Sequence, residues 1–290
     1  MLWPLLAVVL WGGNAVVSKA SASVIDPVAI TFYRWLAAAM LIAPFAIPPL
    51  IRQRATLAAS LPRLIVLGLL GCVLFPLLMY LAARDTSAIN IGIIQALMPL
   101  IAIVLASGIT GARIARLAWL GVIVSLCGVA VVVSHGRPAE LFAKVPNRGD
   151  LVMLAATVCF ALYSVLVKRW RSGLPLIAEL FVQAAAASLV LLPIYLAGQP
   201  GIPRPAALPM IAYAAALASV TAPLLWMKGI VQLGPARAAN FFNLLPLVAA
   251  ALAVSVLGET LDAAVLLGGL LAVAGVVIAE RAARGYTNAH

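Results

Sequence analysis

The chain is poor in charge, and in acid above all. Of its 290 residues only 9% are Asp, Glu, Lys or Arg and only 8 are acidic, where soluble domains carry about 25% charged residues. With 65% hydrophobic residues, there are too few polar side chains to cover a water-exposed surface, which excludes an ordinary soluble domain. Histidine is nearly missing: His135 and His290 stand in polar stretches, so no histidine-based metal site is available. The three cysteines, Cys72, Cys127 and Cys159, lie inside apolar runs. They read as small packing residues rather than ligands or disulfide partners. No metal and no cofactor is expected. A net charge of +11 would suggest nucleic acid for a soluble protein. Here it reads as Lys and Arg flanking membrane spans, and no nucleic-acid partner is expected.

What the chain has is long apolar runs, at about 2–19, 28–50, 62–83, 87–107 and 115–134, then 151–168, 174–197, 206–227, 236–257 and 263–280. A spanning helix needs about 20 such residues, so ten helices use roughly 200 and leave about 90 for connections and ends. The runs are too long for barrel strands and lack period-two alternation. Backbone groups in hydrocarbon must be satisfied within each segment, so the expected fold is an all-α bundle of ten transmembrane helices. The first run begins at Leu2 with no basic segment before it, and is expected to be a retained helix.

Basic residues set the orientation. With the N-terminus inside, the inner face receives Arg52, Arg54, Arg63, Arg113, Arg116, Lys168, Arg169, Arg171, Lys228, Arg237, Arg281 and Arg284. The outer face receives Lys19, Arg84, Arg137, Lys144, Arg148 and Arg204. Twelve against six places both termini in the cytoplasm.

Sliding the chain against itself exposes a repeat. Residues 10–19, Leu-Trp-Gly-Gly-Asn-Ala-Val-Val-Ser-Lys, align with 159–168, Cys-Phe-Ala-Leu-Tyr-Ser-Val-Leu-Val-Lys, at an offset of 149, as do Phe32 with Phe181 and Pro44 with Pro193. At an offset of 147, Pro76 meets Pro223, Pro99 meets Pro246, Gly111 meets Gly258, Gly121 meets Gly268 and Gly128 meets Gly275. Five spans per copy is an odd number, so the second copy is expected to enter the membrane inverted. The expected division is a first five-helix repeat at 1–134, a connection at 135–150, an inverted repeat at 151–281 and a cytoplasmic tail at 282–290. Two inverted copies can exchange roles as inner and outer gates around a central cavity, which is the logic of alternating access.

Polar groups within spans are costly and face a cavity or a partner. Trp11, Asn14, Tyr80 and Gln95 in the first copy, and Tyr163, Trp226, Asn240 and Asn243 in the second, are the candidate substrate-binding residues. Trp11 and Asn14 share a helical face, as do Asn240 and Asn243. A carboxamide can donate to a carboxylate and accept from an ammonium. For the amides the competing reading is interhelical hydrogen bonding, and for the aromatics lipid-interface anchoring. Arg34 reads as snorkelling outward or neutralising a helix C-terminus before it reads as a partner for a substrate anion. Pro76, Pro99, Pro223 and Pro246 are candidate hinges, since each removes a helical hydrogen bond and bends its helix. Paired glycines at 121, 128, 268 and 275 permit close helix approach. No acidic residue falls in the middle of a span. That disfavours a proton-driven exporter of multivalent cations and favours a neutral or zwitterionic solute, with coupling through Glu179 left open. No nucleophile has an activating base and no metal cluster forms, so an enzyme is not expected.

Trp11-Gly12-Gly13-Asn14, Phe32-Tyr33-Arg34, Ala96-Leu97-Met98-Pro99, Asn243-Leu244-Leu245-Pro246 and Gly258-Glu259-Thr260-Leu261 carry, by order and spacing, a resemblance over the whole chain. It resembles the drug/metabolite transporter superfamily in its ten-helix EamA type, and within that type the YddG-like aromatic amino-acid exporters. The resemblance implies a basket-like bundle in the bacterial inner membrane with the fifth and tenth spans peripheral. It implies a small-molecule substrate, an amino acid or related metabolite, and it leaves the oligomeric state open. Gly111-Ala112-Arg113 departs from the Gly-Glu pattern, so the role of that glutamate falls to Glu259 alone. The alternative within the fold is a nucleotide-sugar or other metabolite exchanger. That substrate needs two converging cations, for which only Arg34 and Lys228 are candidates.

Overall fold

The computed structural model describes residues 2–111, 116–134, 136, 147–199, 201–233 and 241–287. Asn240, His135, His290 and most of the connection at 135–150 lie outside the described residues. All regular structure among the described residues is helical. Seven helices there are long and apolar enough to cross a membrane, and three further apolar helices, Leu117–Val132, Leu245–Leu257 and Ala263–Ala279, are shorter.

Helix α1 is Leu2–Ser21, and α2 is Pro27–Arg52. α2 is started by Asp26, whose carboxylate accepts from the amides of Val28 and Ala29 at 2.9 and 3.3 Å. α3 is Arg54–Gly68 and α4 is Phe75–Asp85, joined by a widened π-helical stretch, Leu69–Leu74. The polar residues between the second and third apolar runs were expected to form a connection. Instead only Gln53 interrupts the helices, because hydropathy marks the edge of the lipid whereas a helix continues until its backbone bonds are capped. The Gln53 amide closes on the Pro49 carbonyl at 3.0 Å and the next turn begins at once.

Next come α5, Ala88–Gln95, α6, Met98–Thr110, and α7, Arg116–Val133. The second half comprises α8, Arg148–Arg169, α9, Leu176–Gly198, and α10, Leu208–Ala212. A π-helical stretch, Tyr213–Thr221, leads to α11, Ala222–Leu233; α12, Leu245–Leu252, and α13, Ala263–Thr287, complete the described helices.

Pro99 and Pro246 are each the second residue of a helix that starts after a turn, where the missing N–H has no intrahelical acceptor to lose. Pro76 and Pro223 sit instead where a helix runs on from a widened stretch. The backbone just upstream carries the distortion. Before Pro76 and Pro223 the helix widens, in stretches ending at Leu74 and Thr221. Ser219 and Thr221 reinforce the second of these by donating to carbonyls five residues back, Ala214 at 2.7 Å and Ala216 at 2.8 Å. Before Pro99 and Pro246 the chain tightens into turns at Ala96–Leu97 and Asn243–Leu244. There Leu97 bonds back to Ile94 at 3.1 Å and Leu244 to Phe241 at 3.0 Å.

α7 and α13 pack backbone to backbone. A Cβ on Gly121 would meet the Gly275 oxygen at 2.5 Å, and one on Gly128 would meet the Gly268 oxygen at 2.6 Å. Between these two levels the Ser125 hydroxyl donates to the Ala272 carbonyl at 3.0 Å. The interior of the bundle is built of small and branched residues, such as Ala15, Ile30, Met79, Ile91 and Ala249. Outward faces carry large apolar side chains, with Phe45 68% and Leu189 71% exposed, as a lipid-facing surface requires.

Candidate functional site

The Trp11-Gly12-Gly13-Asn14 segment puts α1 hard against its neighbours. A Cβ on Gly12 would meet Val248 of α12 at 2.7 Å, and one on Gly13 would collide with the Tyr213 hydroxyl. That hydroxyl donates to the Leu10 carbonyl at 3.0 Å. Close approach buries Asn14 to 6% exposure. Its amide nitrogen turns to the Met79 sulfur on α4 at 3.7 Å, and the Gln95 amide at the end of α5 turns to the same sulfur at 3.3 Å. A thioether is a weak acceptor. The Asn14 Oδ1 is buried and has no hydrogen-bond partner. Two carboxamides predicted from opposite ends of the first copy thus converge on one side chain with much of their hydrogen-bonding capacity unspent.

The residue following Met79 leads to a second cluster. Tyr80 is 1% exposed, and its hydroxyl accepts from Arg34 Nη1 at 3.1 Å. Arg34 also donates to the Ser219 hydroxyl, from Nε at 3.1 Å and Nη2 at 2.7 Å. The snorkelling and helix-end readings of Arg34 are therefore corrected: at 5% exposure its guanidinium lies inside the bundle. The reason is local. The widened stretch at 213–221 carries Ser219 to α2, and its own proton is engaged by Ala214, so the oxygen is left as an acceptor for the cation.

A third group is aromatic. Trp11, Trp226 and Phe242 form a triangle with ring centroids 5.6, 5.7 and 5.8 Å apart. The indole of Trp11 donates to the Ala218 carbonyl at 3.2 Å, one residue from Ser219. Tyr163 stands apart from these groups. Its hydroxyl donates to Gln183 Oε1 at 3.1 Å, and its ring fills the space a Cβ on Gly71 would need. Asn243 lies in the turn before α12, partly exposed.

The sequence reading missed Met79, Ser219 and Phe242. Ser219 had one faint signal, a hydroxyl directly after the Ala-rich run 214–218. Two carboxylates at helix ends also have structural partners. Asp150, 3% exposed, accepts from the Thr86 hydroxyl and, at 3.2 Å, from the Asn90 amide. Glu259 accepts from the amides of Ala88 and Ile89 at 2.8 and 3.1 Å. It thereby satisfies the free N–H groups and positive dipole at the start of α5. Lys228 sits exposed over the Trp3 ring, 5.2 Å from its centroid.

Compared with known proteins, the chain matches the family description "EamA-like transporter family" over residues 1–134 and 147–280. It is 29% identical over 223 residues to YyaM, an uncharacterized transporter of Bacillus subtilis, covering 74% of this chain and 72% of that protein. An uncharacterized transporter of Archaeoglobus fulgidus is 26% identical over 278 residues, 94% of each chain. A protein of known crystal structure superposes with a TM-score of 0.64 over 98% of this chain and 97% of its own, at 18% identity. At that identity the likeness is one of fold.

Proposed function

This chain belongs to the EamA-like transporter family, and we propose that it is a secondary transporter exporting amino acids, aromatic and other neutral ones, and related metabolites by alternating access. The apolar helices make it a multi-pass membrane protein. Our reading adds ten crossings as two inverted five-helix copies, in a bacterial inner membrane with both termini in the cytoplasm. Three observations support the inverted repeat. The two stretches matching the family description have equal lengths. The helix breaks before the paired prolines, at Leu74 and Thr221 and at Ala96–Leu97 and Asn243–Leu244, are each separated by 147 residues. Gly121 faces Gly275 while Gly128 faces Gly268, so each glycine meets the repeat partner of the other. Copies related by a two-fold axis near Ser125 and Ala272 would make such reciprocal contacts.

The observation that carries the substrate reading is the pair of buried carboxamides, Asn14 and Gln95, sharing one thioether sulfur while the Asn14 oxygen lacks a partner. A buried polar group left short of hydrogen bonds costs about 1–3 kcal/mol, and a site that binds a polar solute recovers that cost when loaded. The Trp11–Trp226–Phe242 triangle suits the apolar side of such a solute. Asn240, with Asn243, belongs to this proposal from the sequence alone. Nucleotide-sugar exchange has less support, because Lys228 is committed to Trp3 and does not converge with Arg34. Uptake of labelled Phe, Trp, Thr and Met into proteoliposomes tests the proposal. Saturable flux of one or more is expected, and none for any of the four refutes it.

A further inference from the structure

We propose that Arg34, with the hydroxyl of Tyr80 and the indole N–H of Trp35, is the docking point for a single carboxylate on the transported solute; this rests on the transporter reading above. A guanidinium keeps its charge in any protein environment. Arg34 is buried to 5% exposure, yet all its hydrogen-bond partners are neutral hydroxyls. None of these partners is acidic; Asp26, the carboxylate nearest in sequence, pairs instead with Arg84 at 3.4 Å. Burying a charge without a counter-ion costs several kcal/mol even when hydrogen bonds are made. Ser219 satisfies two of the guanidinium N–H groups without neutralising the charge.

The donors around this cation are also underused. Tyr80 accepts from Arg34, so its own O–H proton is free to donate onward. Trp35 Nε1 is buried without a partner, and the Trp35 ring stands 5.3 Å from the Arg34 carbon Cζ. A guanidinium bonded only to neutral hydroxyls, a phenol proton with no acceptor and an unpartnered indole N–H on the adjacent residue form a donor set for an anion. Charge count narrows the class. The counterpart of Arg34 at the 149-residue offset is Gln183, neutral and bonded to Tyr163. One buried cation among the described residues matches a monoanion such as a carboxylate, rather than a phosphate diester chain or pyrophosphate.

The test uses the full-length protein in nanodiscs, with 3-phenylpropionate, L-phenylalanine, phenethylamine and sodium chloride as probes, read by thermal shift. Both carboxylates should raise the melting temperature of the wild type at concentrations where phenethylamine and chloride do not. Arg34→Gln should weaken the apparent affinity for the acids about 10- to 100-fold, the span of one charge-assisted interaction. Arg34→Lys, which keeps charge but loses the planar fork, should fall between. Trp35→Phe and Tyr80→Phe leave the cation in place and should each weaken acid binding, which keeps the test decisive if Arg34→Gln does not fold. Equal stabilisation by phenethylamine or by chloride, unchanged acid binding in these variants, or no response of the wild type to either acid would overturn the proposal. Proteoliposome flux separates the two readings. Flux of phenethylamine matching that of phenylalanine defeats the carboxylate site and leaves a transporter. Acid binding lost in Arg34→Gln without flux of any probe keeps the site and defeats transport.

Discussion

Replacing Gly128 by alanine would put a methyl carbon 2.4 Å from the Ala272 nitrogen and 2.6 Å from the Gly268 oxygen. Both obstacles are backbone atoms, so no rotamer change relieves the clash. Ordinary contact begins at 3.4 Å, and α7 and α13 must therefore separate by about 1 Å at this level, enough to forfeit a quarter to a half of the local dispersion energy. Helix propensity acts the other way, favouring alanine by about 1 kcal/mol, so a net loss can only be steric. We expect Gly128→Ala to destabilise by about 1–3 kcal/mol, the usual range for overpacking, in a reversible SDS unfolding titration. The geometry further dictates how substitutions combine. Gly121 and Gly275 face one another, so once one alanine has parted the helices the second meets less resistance, and the double variant should lose clearly less than the sum. Gly121 and Gly268 lie at opposite levels of the interface, about 10 Å apart from seven residues of helical rise, and their losses should add to within about 0.5 kcal/mol. Unchanged stability in Gly128→Ala, or identical coupling in the two double variants, would refute the backbone-to-backbone packing described here.

Asn14→Ala and Asn243→Ala should lower flux of the transported amino acid at unchanged membrane abundance, measured against expression in the same vesicles; unchanged flux in both would misplace the cavity. Pro99→Ala and Pro246→Ala should slow turnover more than they weaken binding, because the breaks before them govern exchange between states; equal effects on rate and affinity count against hinging. Glu259→Gln removes the anion at the start of α5 and should cost about 1 kcal/mol of stability in the same SDS titration. Arg34→Met should raise the stability of the unliganded protein by about 1–4 kcal/mol, as replacing buried charges by apolar groups often does, while abolishing carboxylate-dependent stabilisation. A less stable Arg34→Met protein would show that the cation is compensated by the scaffold rather than held for a solute.

The runs of apolar residues, the paired prolines and the paired glycines are written in composition and spacing, so the helical architecture and the places where it breaks could be read directly. The form of each break could not. Pro76 and Pro223 announce that the backbone upstream is disturbed, but whether it widens or tightens depends on what the neighbouring helices demand, and residues such as Ala and Leu carry no code for either. Arg34 shows the same limit with larger consequences. From sequence its cheapest fate was to reach for water, because its acceptor, Ser219, is 185 residues away and differs from its alanine neighbours by one oxygen. Asp150 stands at a helix end, but its burial follows from Gly149, where an added Cβ would come within 2.8 Å of the backbone of Asp85 and Thr86. Long-range partnerships of small residues thus decide which of the chain's scarce charges are buried.

That rule bears on how the transporter would work. Arg34, Asn14 and Gln95 are held by α1, α2, α4, α5 and the widened stretch at 213–221, and two of these elements adjoin the breaks before Pro76 and Pro99. Closing or widening a break by one hydrogen-bond register rotates the attached helix and moves Tyr80 or Gln95 relative to Arg34 and Asn14. A solute carboxylate that neutralises Arg34 removes the cost of holding that cation buried among neutral partners. It can shift the balance between two conformations only to the extent that it binds them unequally. Substrate affinity and conformational bias are therefore expected to change together in Arg34 and Tyr80 variants.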